Sequence, residues 1–241
     1  MSSMAMPSGA APFDAVAADY ERALGHGLRL SGEGPQYFAR RRIDWTARLL
    51  RRERTTRVLD FGCGVGLATC ELRQRLGAES AWGFDPSTAA IERARRDVAE
   101  RGILFTAHVD DLPQGEFDVA YCNGVFHHIP LGERRAALLT IARTLRPGGW
   151  LALWENNPWN PGTRWVMRRI PFDRDADPLS PPQTRRMVRD AGFRVARTDA
   201  WFIFPRALRW LRPVERLVHR LPLGGQYLVL AQWPGRSGQS A

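Results

Sequence analysis

The stretch from Val58 to Gly66 reads VLDFGCGVG: an apolar run, one acid at Asp60, then glycines at 62, 64 and 66. Glycines this dense after a strand let a backbone come very close to a ligand. Three chemistries compete for such a turn. A P-loop needs a Lys-Ser/Thr pair behind its last glycine to reach phosphate and magnesium, and here Leu67-Ala68 follow. A dinucleotide turn is spaced G-x-G-x-x-G, whereas this one is G-x-G-x-G, one residue tighter. An anionic Asp60 at the strand end would also repel a pyrophosphate, and it suits a ligand that carries a positive amino group. Asp85, in WGFDPS, ends the next strand nineteen residues after Gly66. A carboxylate there can take both ribose hydroxyls at once. Together these features describe a site for an adenosine joined to an amino acid.

Two further groups of residues could act on a second substrate. Asn123-Gly124-Val125-Phe126-His127-His128 follows the fourth strand, at the edge where ligands bind in open α/β sheets. A histidine there could serve as general base, because its ordinary pKa near 6.5 suits proton removal at neutral pH. The competing reading is a packing signature beneath the ligand, and His127 is the first of the two to test. The loop ENNPWNPGTR leaves the fifth strand and offers Glu155, Asn156, Asn157, Trp159, Asn160 and Arg164 to an acceptor. Its asparagines supply paired donors and acceptors and Trp159 a flat apolar face. Turn formation by Asn-Pro dipeptides is the alternative. The three cysteines, Cys63, Cys70 and Cys122, form no CxxC pair, so neither a disulfide framework nor a metal site is expected.

These residues need elements to carry them. Helix-like apolar spacing runs over Phe13 to Leu24 and Gln36 to Arg52, on either side of a glycine-rich connection. From residue 56 strands and helices alternate. Strands are expected at Thr56–Phe61, Ser80–Phe84, Ile103–Ala107, Phe117–Tyr121 and Trp150–Trp154. Helices are expected at Leu67–Leu76, from an N-cap at Ser87 to about Arg101, and at Gly132–Leu145, the last stopped by Arg146-Pro147-Gly148-Gly149. Further on come a short helix near Trp165–Ile170, a helix Gln183–Ala191 and a strand Phe193–Phe204. A helix Pro205–Leu221 has Trp210, Leu211, Val214, Leu217 and Val218 on one face, and Gln226–Trp233 is a last strand. This alternation predicts an α/β fold with a mostly parallel sheet covered by helices on both faces. We read residues 1–12 and 235–241 as flexible tails around a single domain, 13–234. Within it, 13–55 form a helical cap, 56–155 a cofactor-binding core, 156–182 a lid and 183–234 the completion of the sheet.

In VLDFGCGVG, the GFDPS strand end, FDVAYCNGVFHHIP and LRPGGWLALWE, the chain resembles the class I S-adenosylmethionine-dependent methyltransferases over residues 56–155. The resemblance implies a Rossmann-like seven-stranded sheet with an antiparallel last strand. It implies S-adenosyl-L-methionine as cofactor, its methionine part held at Asp60, Gly62, Gly64 and Gly66 and its ribose at Asp85, next to Pro86. The methionine end would also meet Asn123, Gly124 or Phe126, and a tyrosine from the cap, Tyr20 or Tyr37, would cover the cofactor. The family commonly carries an acid after the third strand for the adenine amino group. In AHVDDLP His108 stands at that place, and Asp110 or Asp111 comes slightly later and is favoured for the contact. A Phe-Asp-x-Asp segment at 172–175 also resembles some bacterial methyltransferases that share the preceding loop.

Composition narrows the partners. The 241 residues carry a net charge of +10, and every Lys+Arg residue is arginine. The charge raises a nucleic-acid reading, but the arginines are scattered, and runs such as Arg40-Arg41-Arg42 sit at helical spacing that a solvated helix face explains. No RNA-binding motif accompanies them, no apolar run approaches the ~20 residues that span a bilayer, and the N-terminus has no signal-peptide pattern. The expectation is a cytoplasmic monomer or homodimer that methylates an oxygen or nitrogen of a small polar metabolite. An RNA or protein methyltransferase, and a non-catalytic cofactor-binding scaffold, are the alternatives.

Overall fold

The structure, a computed structural model, describes residues 32–98, 100–170 and 176–235. The expected tail 1–12, helix Phe13–Leu24, Tyr20, the 172–175 segment and most of the expected C-terminal tail lie outside them.

Seven strands form one sheet: β1 Arg57–Phe61, β2 Ser80–Phe84, β3 Ile103–Thr106, β4 Phe117–Asn123, β5 Leu145–Asn156, β6 Arg194–Trp201 and β7 Gln226–Gln232. Their order is β3-β2-β1-β4-β5-β7-β6, and β7 runs antiparallel to both neighbours. The seven helices of the described residues are α1 Pro35–Leu50, α2 Thr69–Leu76, α3 Thr88–Asp97, α4 Arg134–Thr144, α5 Pro161–Met167, α6 Pro181–Asp190 and α7 Arg212–Val218. This is the doubly covered α/β sheet with an antiparallel last strand that the alternation and the resemblance predict.

Alternation along the strands sorts side chains to two faces. On one, Leu59, Ala120, Cys122, Leu151 and Leu153 pack with Leu138 and Ile141 of α4 and Val188 of α6. On the other, Val58, Tyr121, Ala152 and Trp154 meet Ile43, Trp45 and Leu50 of α1 and Leu72 of α2. Strand order reverses between β1 and β4, and the crevice at the carboxyl ends beside that switch is where such sheets bind ligands. The register brings Phe61, Phe84, Asn123 and Asn156 to this edge, together with Gln226 and Trp201.

Two elements and one residue differ from expectation. Arg146 to Gly149 end α4 as anticipated, yet they lie inside β5, at a register shift opposite Phe117 and Val119. There Arg146 Nε donates to Asp118 Oδ1 at 2.5 Å, and Asp118 Oδ2 accepts the Thr56 and Arg57 N–H groups. The expected helix Pro205–Leu221 is a 3-10 turn, Arg206–Leu211, followed by α7, with a kink at Leu208. Its apolar residues do not face the core, since Trp210 and Leu217 are 71% and 82% exposed. The inward contact is made by Glu215, whose buried carboxylate accepts the Ile203 and Phe204 N–H groups at 2.9 and 3.0 Å. Arg42 is the residue, being buried beneath α1 where a solvated face was expected.

Candidate active site

The glycine turn is held from behind. Gly62 and Cys63 N–H both donate to the Phe84 carbonyl, and Gly64 N–H donates to Asp85 Oδ2 at 2.9 Å. The other oxygen of Asp85 accepts Ser87 N–H across Pro86, while Ser87 Oγ caps α3 by accepting Ala90 N–H. All three glycines have positive φ, which disfavours any side chain. Their surroundings differ. A Cβ on Gly62 would stand 2.2 Å from a Val125 methyl, and one on Gly66 2.8 Å from the Phe105 ring. A Cβ on Gly64 would meet nothing within 4 Å. Gly62 and Gly66 are therefore required by protein packing, and Gly64 presents bare backbone to an open space.

Asp60, only 3% exposed, accepts the Thr69 hydroxyl at 2.7 Å. Burial pushes its carboxyl up to about 7; the Thr69 hydrogen bond and the Arg42 charge oppose this, and Asp85 adds to it. A buried carboxylate so destabilised is a natural partner for a cation brought by a ligand. Across the strand switch, the side-chain oxygen of Asn123 is buried and has no hydrogen-bond partner among the described residues. An orphaned acceptor of this kind at a ligand edge calls for a donor. The aminoacyl ammonium of S-adenosylmethionine is cationic and a donor, and its ribose offers two hydroxyls. The open Gly64 backbone, Asp60, Asp85 and Asn123 fit it.

The fourth-strand loop is anchored by buried contacts. His127 is 3% exposed; its Nδ1 lies 2.6 Å from Glu155 Oε2, and its carbonyl accepts Asp177 N–H. Glu155, itself 1% exposed, also accepts Phe126 N–H at 2.8 Å. The Phe126 ring is buried in the core cluster that also holds Leu138 and Leu153. The expectation of a general base at His127 thus meets a buried side chain engaged by a carboxylate. His128 is half-buried, its ring 4.1 Å from that of His127. Gly124 takes a positive φ and donates its N–H to the Trp154 carbonyl.

Several residues expected at the acceptor are engaged inside the protein. Asn157 is fully buried: its amide donates to the Pro222 and Gly224 carbonyls and its oxygen accepts Trp159 N–H. Asn160 caps α5 and donates to the Leu223 carbonyl. Asn156 Oδ1 accepts from Gln226, while Trp159 and Arg164 are exposed. Glu155 is withdrawn with His127. Asp111 is exposed but tied to the Thr106 hydroxyl at 2.5 Å, leaving Asp110 and His108 exposed nearby. Tyr37 lies under the Arg212 guanidinium and against Phe202. Residues not anticipated are Thr69 and the chain from Arg42, whose Nη1 donates to Gln226 at 2.8 Å and whose Nε donates to the Tyr121 hydroxyl at 3.3 Å. A signal was present, because Arg42 shares a helix face with Trp45 and Thr46 at i+3 and i+4.

A family model described as a methyltransferase domain matches residues 35–198. The ribosomal protein L11 methyltransferase of Paraburkholderia phytofirmans is 31% identical over 123 residues, 51% of this chain and 38% of that protein. The ubiquinone biosynthesis O-methyltransferase of Alkalilimnicola ehrlichii is 32% identical over 114 residues, 45% of this chain and 44% of its own. The chain thus spans about two fifths of the length of the curated relatives it matches. Among solved structures, an S-adenosylmethionine-dependent methyltransferase of Thermotoga maritima, described as a possible histamine N-methyltransferase, superposes with a TM-score of 0.63 at 17% identity. That likeness covers 93% of this chain and 99% of the other. A chain from the Haloferax volcanii complex of the Trm112 methyltransferase activator and a methyltransferase gives 0.62 at 24% identity, covering 92% and 97%. The chain belongs to the methyltransferase-domain family, the class I S-adenosylmethionine-dependent enzymes.

Proposed function

We propose that the protein transfers a methyl group from S-adenosylmethionine to an oxygen or nitrogen of a small polar acceptor, aromatic or heteroaromatic, as a cytoplasmic enzyme of natural-product type. The observation that carries the cofactor half is the open backbone of Gly64, held by Asp85, in the turn that follows buried Asp60. When bound, the cofactor supplies both the activated methyl group and its leaving group. The chain's own task is to bind, align and exclude water. Asp60 faces the ammonium, Asp85 the ribose, and Asn123 Oδ1 accepts from the aminoacyl end. His127 and Glu155 act by position, pinning the loop after β4 to the end of β5. An acceptor proton that must leave would pass to a group other than buried His127, and half-buried His128 is the candidate.

The small-molecule reading is supported by the acceptor side of the edge, which is bounded by elements of this chain: α1, the segment after β6 and α5. A protein or RNA acceptor is the second reading, favoured by the net charge of +10 and by the similarity to a ribosomal protein methyltransferase. The test is incubation with methyl-labelled S-adenosylmethionine and a cell extract. Label is expected in the acid-soluble small-molecule fraction. Label in precipitated protein or RNA would reverse the choice.

A further inference from the structure

A cavity lies at the carboxyl end of β6 and shares Tyr37, but none of the glycine-turn residues, with those expected at the cofactor. Tyr37 and Arg41 of α1, with Arg209, Arg212, Pro213 and Arg216, line a space of about 360 Å³. Of its four guanidinium groups, only Arg212 has a carboxylate partner among the described residues, Glu33 at 2.9 Å. Arg41 lies 5.5 Å from the centroid of the Trp201 ring, and its Nε is buried with no hydrogen-bond partner among the described residues. The other nearby acid, Glu215, is buried against the Ile203 and Phe204 N–H groups. Guanidinium forks match phosphate oxygens in charge and in planar geometry. A cavity lined by four of them and short of acids selects a phosphate group over a neutral ligand.

The same segment carries a second stripe. Arg209, Arg212, Arg216 and Arg220 recur at intervals of three and four, as do Trp210, Val214, Leu217 and Leu221 one position or more along. The apolar set is exposed, Trp210 and Leu217 above all. Large apolar side chains grouped at the surface mark an interaction site.

We propose that the cavity receives the phosphate head of an amphiphilic ligand, whose apolar part lies along Trp210, Val214 and Leu217. Equating that ligand with the methyl acceptor rests on the function proposed above; the binding site itself does not. The head could come from a soluble phosphate ester or from a bilayer lipid, since both present the same group.

The experiment titrates decyl phosphate, held below its micelle concentration, into the full chain by calorimetry, beside inorganic phosphate. S-adenosylhomocysteine binding is measured on the same samples, so that failure of the cofactor site is seen separately and reports folding of each variant. Decyl phosphate is expected to saturate at least tenfold more tightly than phosphate. Arg209→Ala with Arg216→Ala should weaken both ligands at least tenfold, and Trp210→Ser with Leu217→Ser should remove only the gain from the chain. Arg185→Ala with Arg186→Ala, on exposed positions of α6, removes equal charge and should change neither. Pelleting with phosphatidylglycerol vesicles that requires Arg209 and Arg216 would name a bilayer lipid as the source; saturation without pelleting would name a soluble ester. Absence of saturation, or equal loss in the α6 control, would overturn the proposal. So would a dimer that needs Trp210 and Leu217 and binds no probe, which would give this face to a second copy.

Discussion

At the β1/β2 end of the sheet edge, the carboxylates of Asp60 and Asp85 are held by Thr69, Gly64 and Ser87, and the Cβ side of Gly64 opens on space. At the β5/β7 end, the polar side chains of Asn156, Asn157 and Asn160 are engaged with the chain itself, and the exposed groups are arginines and large apolar residues. On the function proposed above, the first end would hold the cofactor. The second uses its asparagines as scaffolding.

The largest effect should come where the two ends are tied together. Glu155→Ala leaves buried His127 and the Phe126 N–H without their acceptor. Each buried donor left unsatisfied costs about 1–3 kcal/mol, so urea unfolding should show a loss of roughly 2–6 kcal/mol for the two together. A loss within about 0.5 kcal/mol would return His127 to the candidates for catalysis. Next comes Asp85→Ala. Losing charge-assisted bonds to the ribose, worth about 1.5–3 kcal/mol, should weaken S-adenosylhomocysteine binding roughly ten- to hundredfold, read by calorimetry.

A pH series separates the ends further. Asp60 titrates at about 7, raised from its ordinary value by burial. Below that pH it is protonated and cannot meet an ammonium, so cofactor affinity should fall about tenfold per pH unit as pH drops below 7. In the free protein the sign is opposite: a carboxyl whose folded pKa is raised costs stability as pH rises from its unfolded pKa toward 7. Asp60→Asn should flatten both profiles. The smallest effect is Ser87→Ala, which removes the cap of α3 and should cost about 1 kcal/mol of stability with cofactor affinity within twofold.

The same division governs what could be read from sequence. The glycine-turn end was legible as structure because its constraints are local. VLDFGCGVG, the strand-end Asp85 and the Ser87 cap depend on spacing within one βα unit. The acceptor end was not, because its residues find partners far along the chain. Asn157 reaches Pro222 and Gly224, and Arg42 reaches Gln226. The arginine run at 40–42 hid one member that turns inward, since a polar residue on a buried helix face looks like its solvated neighbours until the sheet beneath offers Tyr121. The stripe Trp210, Val214 and Leu217 has the spacing of a core-facing helix, and only the Glu215 anchor reverses it.

The central claim, that the open side of Gly64 is the seat of the cofactor, is tested most directly by Gly64→Ala against Gly62→Ala. Calorimetric titration with S-adenosylhomocysteine is paired with thermal unfolding of each variant. Gly62→Ala should lose the fold, because its Cβ collides with Val125, whereas Gly64→Ala meets no protein atom within 4 Å. The Gly64→Ala variant should therefore stay folded, within the roughly 1–2 kcal/mol that a left-handed residue costs, yet bind the cofactor product at least tenfold more weakly. Wild-type affinity in a folded Gly64→Ala variant would contradict the assignment.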